Sequence, residues 1–252
     1  MSATPAVDHA ASLDAVRDVE GWMTDAQARR LGEAAARVAP AGAIVEIGSF
    51  RGRSTIVLAR AAADGVALTA IDPHLGGDRG PQEFADAPAL GESDHAAFHA
   101  NLRRAGVEDR VRHVRRRSAQ ALDAVNGPVA LLYVDGAHRI RPALADLRRW
   151  GGRVAPGGTL LVHDAFSSIG VTVALLGQVV GRDGWRYAGR DGSLAEYRRG
   201  PALTRAEAAA EWTATLAQLP WFARNLAVKG AILSGQGWLA RALGHRSGPW
   251  PY

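Results

Sequence analysis

Two apolar runs end in polar residues that are costly to place beside a core. Asp135 follows residues 129–134, and His138 comes three positions later; His163 and Asp164 follow residues 159–162. An ionisable group in such a place is unfavourable unless a partner or a ligand compensates it. Carboxylates and imidazoles gathered there can take a proton from a hydroxyl, imidazole being neutral near pH 7. They can also hold a cation with open water positions, and Asp135, His163 and Asp164 suit Mg²⁺ or Mn²⁺. Plainer accounts stand beside these: His138 as a loop histidine bonded to Asp135, and Asp164 as the cap of a turn around Ser167.

A second group lies upstream in Val45-Glu46-Ile47-Gly48-Ser49-Phe50-Arg51-Gly52-Arg53-Ser54. The pattern predicts a sharp strand-to-helix turn in which Gly48 and Gly52 allow close backbone approach to a ligand. Ser49 and Phe50 lie within that turn. A helix starting near Ser54 offers free N–H groups to a carboxylate, and Ser54 adds a hydroxyl. Glu46 can take an ammonium, so the expected ligand carries both amine and carboxylate. Phe50 stands where a dinucleotide Gly-x-Gly-x-x-Gly has its second glycine, and no P-loop lysine follows. Asp72, closing the next apolar run, can accept both hydroxyls of a ribose; as a plain turn residue it would precede Pro73. Ser118 is placed to reach an adenine edge, or to cap a helix over 119–125.

The elements that position these residues alternate. Strands are predicted at 43–47, 67–71, 111–114, 129–134 and 159–162, with a turn at Pro156-Gly157-Gly158. Helices are predicted at 24–38, 54–63, 94–105, 118–125, 141–150 and 171–180, and a hairpin at 185–188 and 194–197. Continuous apolar strands alternating with helices predict a Rossmann-like α/β fold: a mostly parallel seven-stranded sheet, helices on both faces, and an antiparallel terminal hairpin. Ligands on such sheets bind beyond the carboxyl ends of the strands, where the polar groups above fall. Three regions are expected: residues 1–40 as an arm and helix, 41–199 as the ligand-binding domain, and 200–252 as a helical tail. Thr204 can cap a helix running to Gln218. The tail's Trp212, Trp221, Phe222 and Trp238 suit packing onto the domain, a lid, a contact with a second copy, or peripheral attachment to a membrane. His74, Asp78, His95 and His99, in or after the glycine-rich stretch 73–93, read as surface residues of a lid-type loop.

Composition narrows the classes. The 252 residues are 47% hydrophobic and 22% charged, ordinary for a globular protein. The absence of cysteine excludes disulfides and thiolate zinc sites. The net charge is +5 and Lys229 is the only lysine. The basic run Arg110, Arg112, Arg115, Arg116 and Arg117 lacks interleaved aromatics, which argues against nucleic acid as a partner. With no apolar leader and no long apolar run, the expectation is a cytoplasmic chain without a membrane span.

Glu-Ile-Gly-x-x-x-Gly-x-Ser resembles motif I of catechol O-methyltransferase-like class I methyltransferases. Tyr133-Val134-Asp135-Gly136-Ala137-His138, then Pro156-Gly157-Gly158-Thr159 and Val162-His163-Asp164, resemble the family 24 methyltransferase domain, which is similar to macrolide-sugar O-methyltransferases and cephalosporin-hydroxylase-like proteins. The resemblance covers residues 22–198. It implies S-adenosylmethionine (SAM) as cofactor, held by Glu46, Gly48, Ser54, Asp72 and Ser118, with Ser49, Phe50, Gly52 and Asp135 alongside. It implies a general base at His138, helped by Asp135, and Mg²⁺ on an acidic trio. Here His163 stands in place of one acid, which leaves Mn²⁺ or a softer ion open. The acceptor would be a hydroxyl of a small molecule such as a sugar or natural product. The alternatives are a SAM-binding regulator or partner subunit without methyl transfer, and a hydroxylase-like member of the fold. An NAD-dependent oxidoreductase is disfavoured by Phe50 and by the lack of a Tyr-x-x-x-Lys pair. A homo-oligomer is compatible with all of these.

Overall fold

The computed structural model describes residues 8–79, 82–83 and 86–245. Its strands are β1 (Ala43–Ile47), β2 (Ala67–Ile71), β3 (Val111–Val114), β4 (Val129–Val134), β5 (Val154–Val162), β6 (Trp185–Asp191) and β7 (Leu194–Arg199). They form one sheet in the order β3-β2-β1-β4-β5-β7-β6. The first five are mutually parallel, while β7 runs antiparallel to both β5 and β6. A separate two-residue ribbon pairs Asp78–Arg79 with Gln82–Glu83.

The strands are continuous apolar runs because both faces of the sheet are covered. Ile44, Leu131, Tyr133 and Leu161 face a core shared with α2 (Asp25–Ala36), α3 (Arg53–Ala61) and α4 (Pro88–Arg104). Their neighbours Val45, Ile47, Leu132, Val134, Leu160 and Val162 face the other core, with α5 (Ile140–Gly151) and α6 (Ile169–Gln178). Alternate residues of one strand thus serve opposite layers, as the two-residue period requires. A short α1 (His9–Ala15) precedes these elements. Thr24 caps α2 in a reciprocal box with Gln27.

Several boundaries differ from the sequence reading. The segment Pro156-Gly157-Gly158 lies inside β5 instead of ending before it. Pro156 and Gly157 are exposed, Gly157 takes φ 83°, and the pairing of β4 with β5 shifts register between Val129 and Leu131. An irregularity of that kind lets a strand carry a proline. Helix α4 begins at Pro88, because proline fits the first helical position where no amide partner is required. The single helix expected over 118–125 is two 3₁₀ turns, Ser118–Gln120 and Leu122–Ala124.

The tail forms α7 (Arg205–Leu216), α8 (Leu219–Leu233) and α9 (Gly237–Ala242), with Thr204 and Glu207 capping α7 reciprocally. Trp221 and Phe222 pack against the α5–α6 side of the core, and the Arg190 guanidinium lies 3.8 Å from the centroid of the Trp221 ring. Asn225 is fully buried and donates from Nδ2 to the Phe166 carbonyl. Trp212, Leu216, Leu233 and Trp238 remain exposed. Among the described residues, no helix is long and apolar enough to cross a membrane.

Candidate active site

The carboxyl ends of β1, β2, β4 and β5 open into a crevice of about 300 Å³. That volume is at the small end of the range for pockets that hold a small molecule or cofactor. The backbone ladder runs one residue past each strand. Gly48 donates to Ile71, Asp135 to Ile47, and His163 to Val134. This fixes the first residue of every loop against its neighbour.

Ten of the predicted site residues line the crevice: Gly48, Ser49, Phe50, Ser54 and Asp72, with Ser118, Asp135, His138, His163 and Asp164. Two do not. The Glu46 side chain is fully buried behind the β1 turn and accepts hydrogen bonds from the Ser54 and Thr55 hydroxyls, the latter at 2.5 Å. Burial pushes its pKa up to about 8 against the opposing effect of those two bonds. Gly52, at φ 88°, leaves room for Leu102 and Phe98 and not for a ligand, since a Cβ there would stand 2.7 Å from Leu102 Cδ1. The reason for Gly48 also changes. At φ 84°, a Cβ would lie 2.1 Å from the Asp135 carbonyl oxygen, so this glycine lets two strand ends meet.

Asp72 organises the β1–β2 half of the crevice. Its Oδ2 accepts from the amides of Ser49 (2.9 Å) and Phe50 (2.8 Å), and its Oδ1 from that of His74 (2.7 Å). Oδ1 keeps acceptor capacity for a hydroxyl. The Ser49 hydroxyl is buried on this wall with no hydrogen-bond partner. Ser118 donates to Asp146 Oδ1 at 2.5 Å; Asp146 also lines the crevice, and burial pushes its pKa up to about 6 despite that bond. Sequence reading missed Asp146, which sits on α5 with nothing in its local pattern to set it apart. His74, taken there for a surface residue, is buried on the crevice wall and bonds the Phe50 carbonyl through Nε2 at 2.8 Å.

The β4–β5 half carries the charged groups. His138 Nε2 lies 2.8 Å from Asp164 Oδ2, and His163 Nδ1 lies 3.2 Å from Asp135 Oδ1. Asp135 Oδ2 accepts from the Tyr133 hydroxyl at 2.8 Å. Asp164 is almost wholly buried and takes φ 56°, unusual for a residue with a side chain, and its Oδ1 has no hydrogen-bond partner. Burial favours protonation of Asp164, but the hydrogen bond and charge of His138 and the charge of His163 outweigh it and hold the pKa well below the usual carboxylate value. Burial likewise opposes charge on His163, yet Asp135 and Asp164 together raise its pKa. A Cβ on Gly170 would stand 2.0 Å from the His138 carbonyl oxygen, so α6 packs directly beneath the His138 loop. Lys229 reaches from α8 to the Ser167 carbonyl at 2.9 Å.

The residues expected to hold a metal, Asp135, His163 and Asp164, stand together at the ends of β4 and β5, with Asp135 Oδ1 bonded to His163 Nδ1 and Asp164 Oδ2 to His138 Nε2. Among the described residues, the one group of three or more metal-type side chains with ligand atoms within 4.8 Å of one another is His95, His99 and His113, outside this trio.

Comparison with known proteins agrees with the architecture. Residues 45–165 match the methyltransferase domain of family 24. The O-methyltransferase TomG of Streptomyces achromogenes, involved in tomaymycin synthesis and solved with SAM, is 20% identical. The match covers 76% of this chain and 89% of TomG, with a TM-score of 0.52. An O-methyltransferase of Bacillus cereus in complex with SAH is 16% identical over 75% of this chain and 90% of its own, TM-score 0.54. The O-methyltransferase NovP is 19% identical over 69% and 79%, TM-score 0.54. The sheet order and these likenesses show a Rossmann-like methyltransferase fold, in which residues 45–165 resemble the family 24 methyltransferase domain.

Proposed function

We propose that the chain transfers a methyl group from SAM to a hydroxyl of a small molecule, a sugar or natural product, with His138 as general base. The observation that carries this reading is the His138–Asp164 pair at 2.8 Å on the crevice wall. A buried carboxylate that accepts from one ring nitrogen fixes the tautomer and leaves the other nitrogen in acceptor form.

SAM supplies an electrophilic methyl on a sulfonium. The cofactor half suits it in three ways: Asp72 Oδ1 accepts from ribose hydroxyls, the Ser49 hydroxyl meets the amino-acid end, and the Ser118–Asp146 pair faces the base. Glu46 acts from behind, holding Ser54 and Thr55 and so the first turn of α3. On the other half, His138 Nδ1 takes the proton of the acceptor hydroxyl as its oxygen bonds the methyl carbon and the carbon–sulfur bond breaks. The charge gained by His138 is balanced by Asp164, and the proton later leaves to solvent. Asp135 and His163 set the shape of this wall. No step runs through a metal.

The test is SAM turnover against a panel of sugar and phenolic acceptors, with cofactor affinity measured separately by calorimetry. His138→Ala should lose turnover and keep SAM affinity. Unchanged turnover with a true acceptor would end the base assignment. Activity abolished by EDTA and restored by Mg²⁺ would instead favour the metal-assisted route expected from the sequence.

A further inference from the structure

We infer that His95, His99 and His113 form a binding site for a zinc-class transition-metal ion, outside the trio at the ends of β4 and β5. His95 and His99 stand one helical turn apart on α4, and His113 lies on β3. One ring nitrogen from each lies within 4.8 Å of the others. A tetrahedral zinc bound at about 2.0–2.1 Å holds its nitrogens roughly 3.3 Å apart, so small side-chain rotations close the set.

Three further features fit a cation and not mere aromatic packing. His99 Nδ1 lies 2.9 Å from Glu108 Oε1, which leaves Nε2 as the ligating nitrogen; a carboxylate behind a histidine is the usual orienting partner at a metal. His113 Nε2 is buried with no hydrogen-bond partner. The three rings lie 4.8–5.5 Å apart, centroid to centroid. A bound ion would tie α4 to the edge strand β3. His74 abuts the cluster, 5.0 Å from His113 and 5.3 Å from His95.

The full chain, freed of metal by a chelator and dialysed, is titrated with Zn²⁺ by calorimetry and with Co²⁺ by visible absorption. The expected result is one ion per chain, a tetrahedral Co²⁺ spectrum and a raised thermal midpoint. His95→Ala and His99→Ala, at partly exposed positions, should each abolish binding. Glu108→Gln should weaken it about 10- to 100-fold, and His163→Gln should leave it intact. Absence of uptake, uptake that survives both His95→Ala and His99→Ala, or uptake lost in His163→Gln would overturn the assignment. None of these readouts depends on methyl transfer.

Discussion

The two halves of the crevice are built on the same sheet edge but differ in where their polar groups are satisfied. At the ends of β1 and β2, Glu46 is held by Ser54 and Thr55, and Asp72 by three backbone amides. These carboxylates brace loops, and a ligand finds a surface already formed. At the ends of β4 and β5, the charged side chains bond mostly to one another, and a buried carboxylate oxygen of Asp164 stays unpartnered. Perturbed, mutually bonded acids and bases of this kind are what a proton-transfer centre uses. On the proposed function, the first half binds the cofactor and the second carries the proton transfer.

Substitutions should respect the division. The largest effect is expected from His138→Ala, which removes the base and should lower kcat by about 10²- to 10⁴-fold with SAM affinity unchanged; a parallel loss of SAM affinity would break the comparison. Asp164→Asn removes the charge behind His138 and should cost about 1.5–3 kcal/mol, roughly ten- to hundredfold in kcat. Steady-state rates at several pH values would show it, with the acidic limb of the profile moved to lower pH. On the binding half, Gly48→Ala forces a Cβ onto the Asp135 carbonyl and should cost at least about 1–3 kcal/mol of stability, seen as a lower denaturant midpoint.

A further effect is the pH dependence carried by Glu46. Its pKa in the folded chain is raised to about 8, above the ordinary carboxylate value, so folding favours the protonated form. Its contribution to stability is complete below the unfolded pKa and is lost as pH rises towards 8, at up to about 1.4 kcal/mol per pH unit. Glu46→Gln should remove that slope, and urea unfolding at pH 5, 6.5 and 8 would register the difference between the two proteins.

The sequence made most of the sheet legible because strands buried on two faces cannot hide: Val129–Val134 admits no other reading. It was less informative where local signals had two meanings. Pro156-Gly157-Gly158 looks like a turn, and only the register shift opposite it explains why β5 passes through. Pro88 starts α4 from inside the stretch 73–93, whose glycines read as a loop. Most candidate site residues were found by their place after apolar runs, but their partners were not. That Glu46 turns inward depends on Thr55, and that His138 faces Asp164 depends on how α6 underlies the loop. The histidine cluster went unread because it joins a helix to a strand that sequence places apart. The four-residue spacing of His95 and His99 was its one visible trace.

The lone lysine bears on how far this domain can be reduced. Lys229 and Asn225 grip the carbonyls of Ser167 and Phe166, three and two residues past Asp164, from a helix well outside the matched segment. A shortened chain ending near residue 199 would carry every proposed reactive group and still lack the outer support of the bend that presents Asp164. The last third of the α/β unit and its appended helices are therefore one mechanical piece, and engineering the acceptor preference of this protein should begin with the appendage left in place.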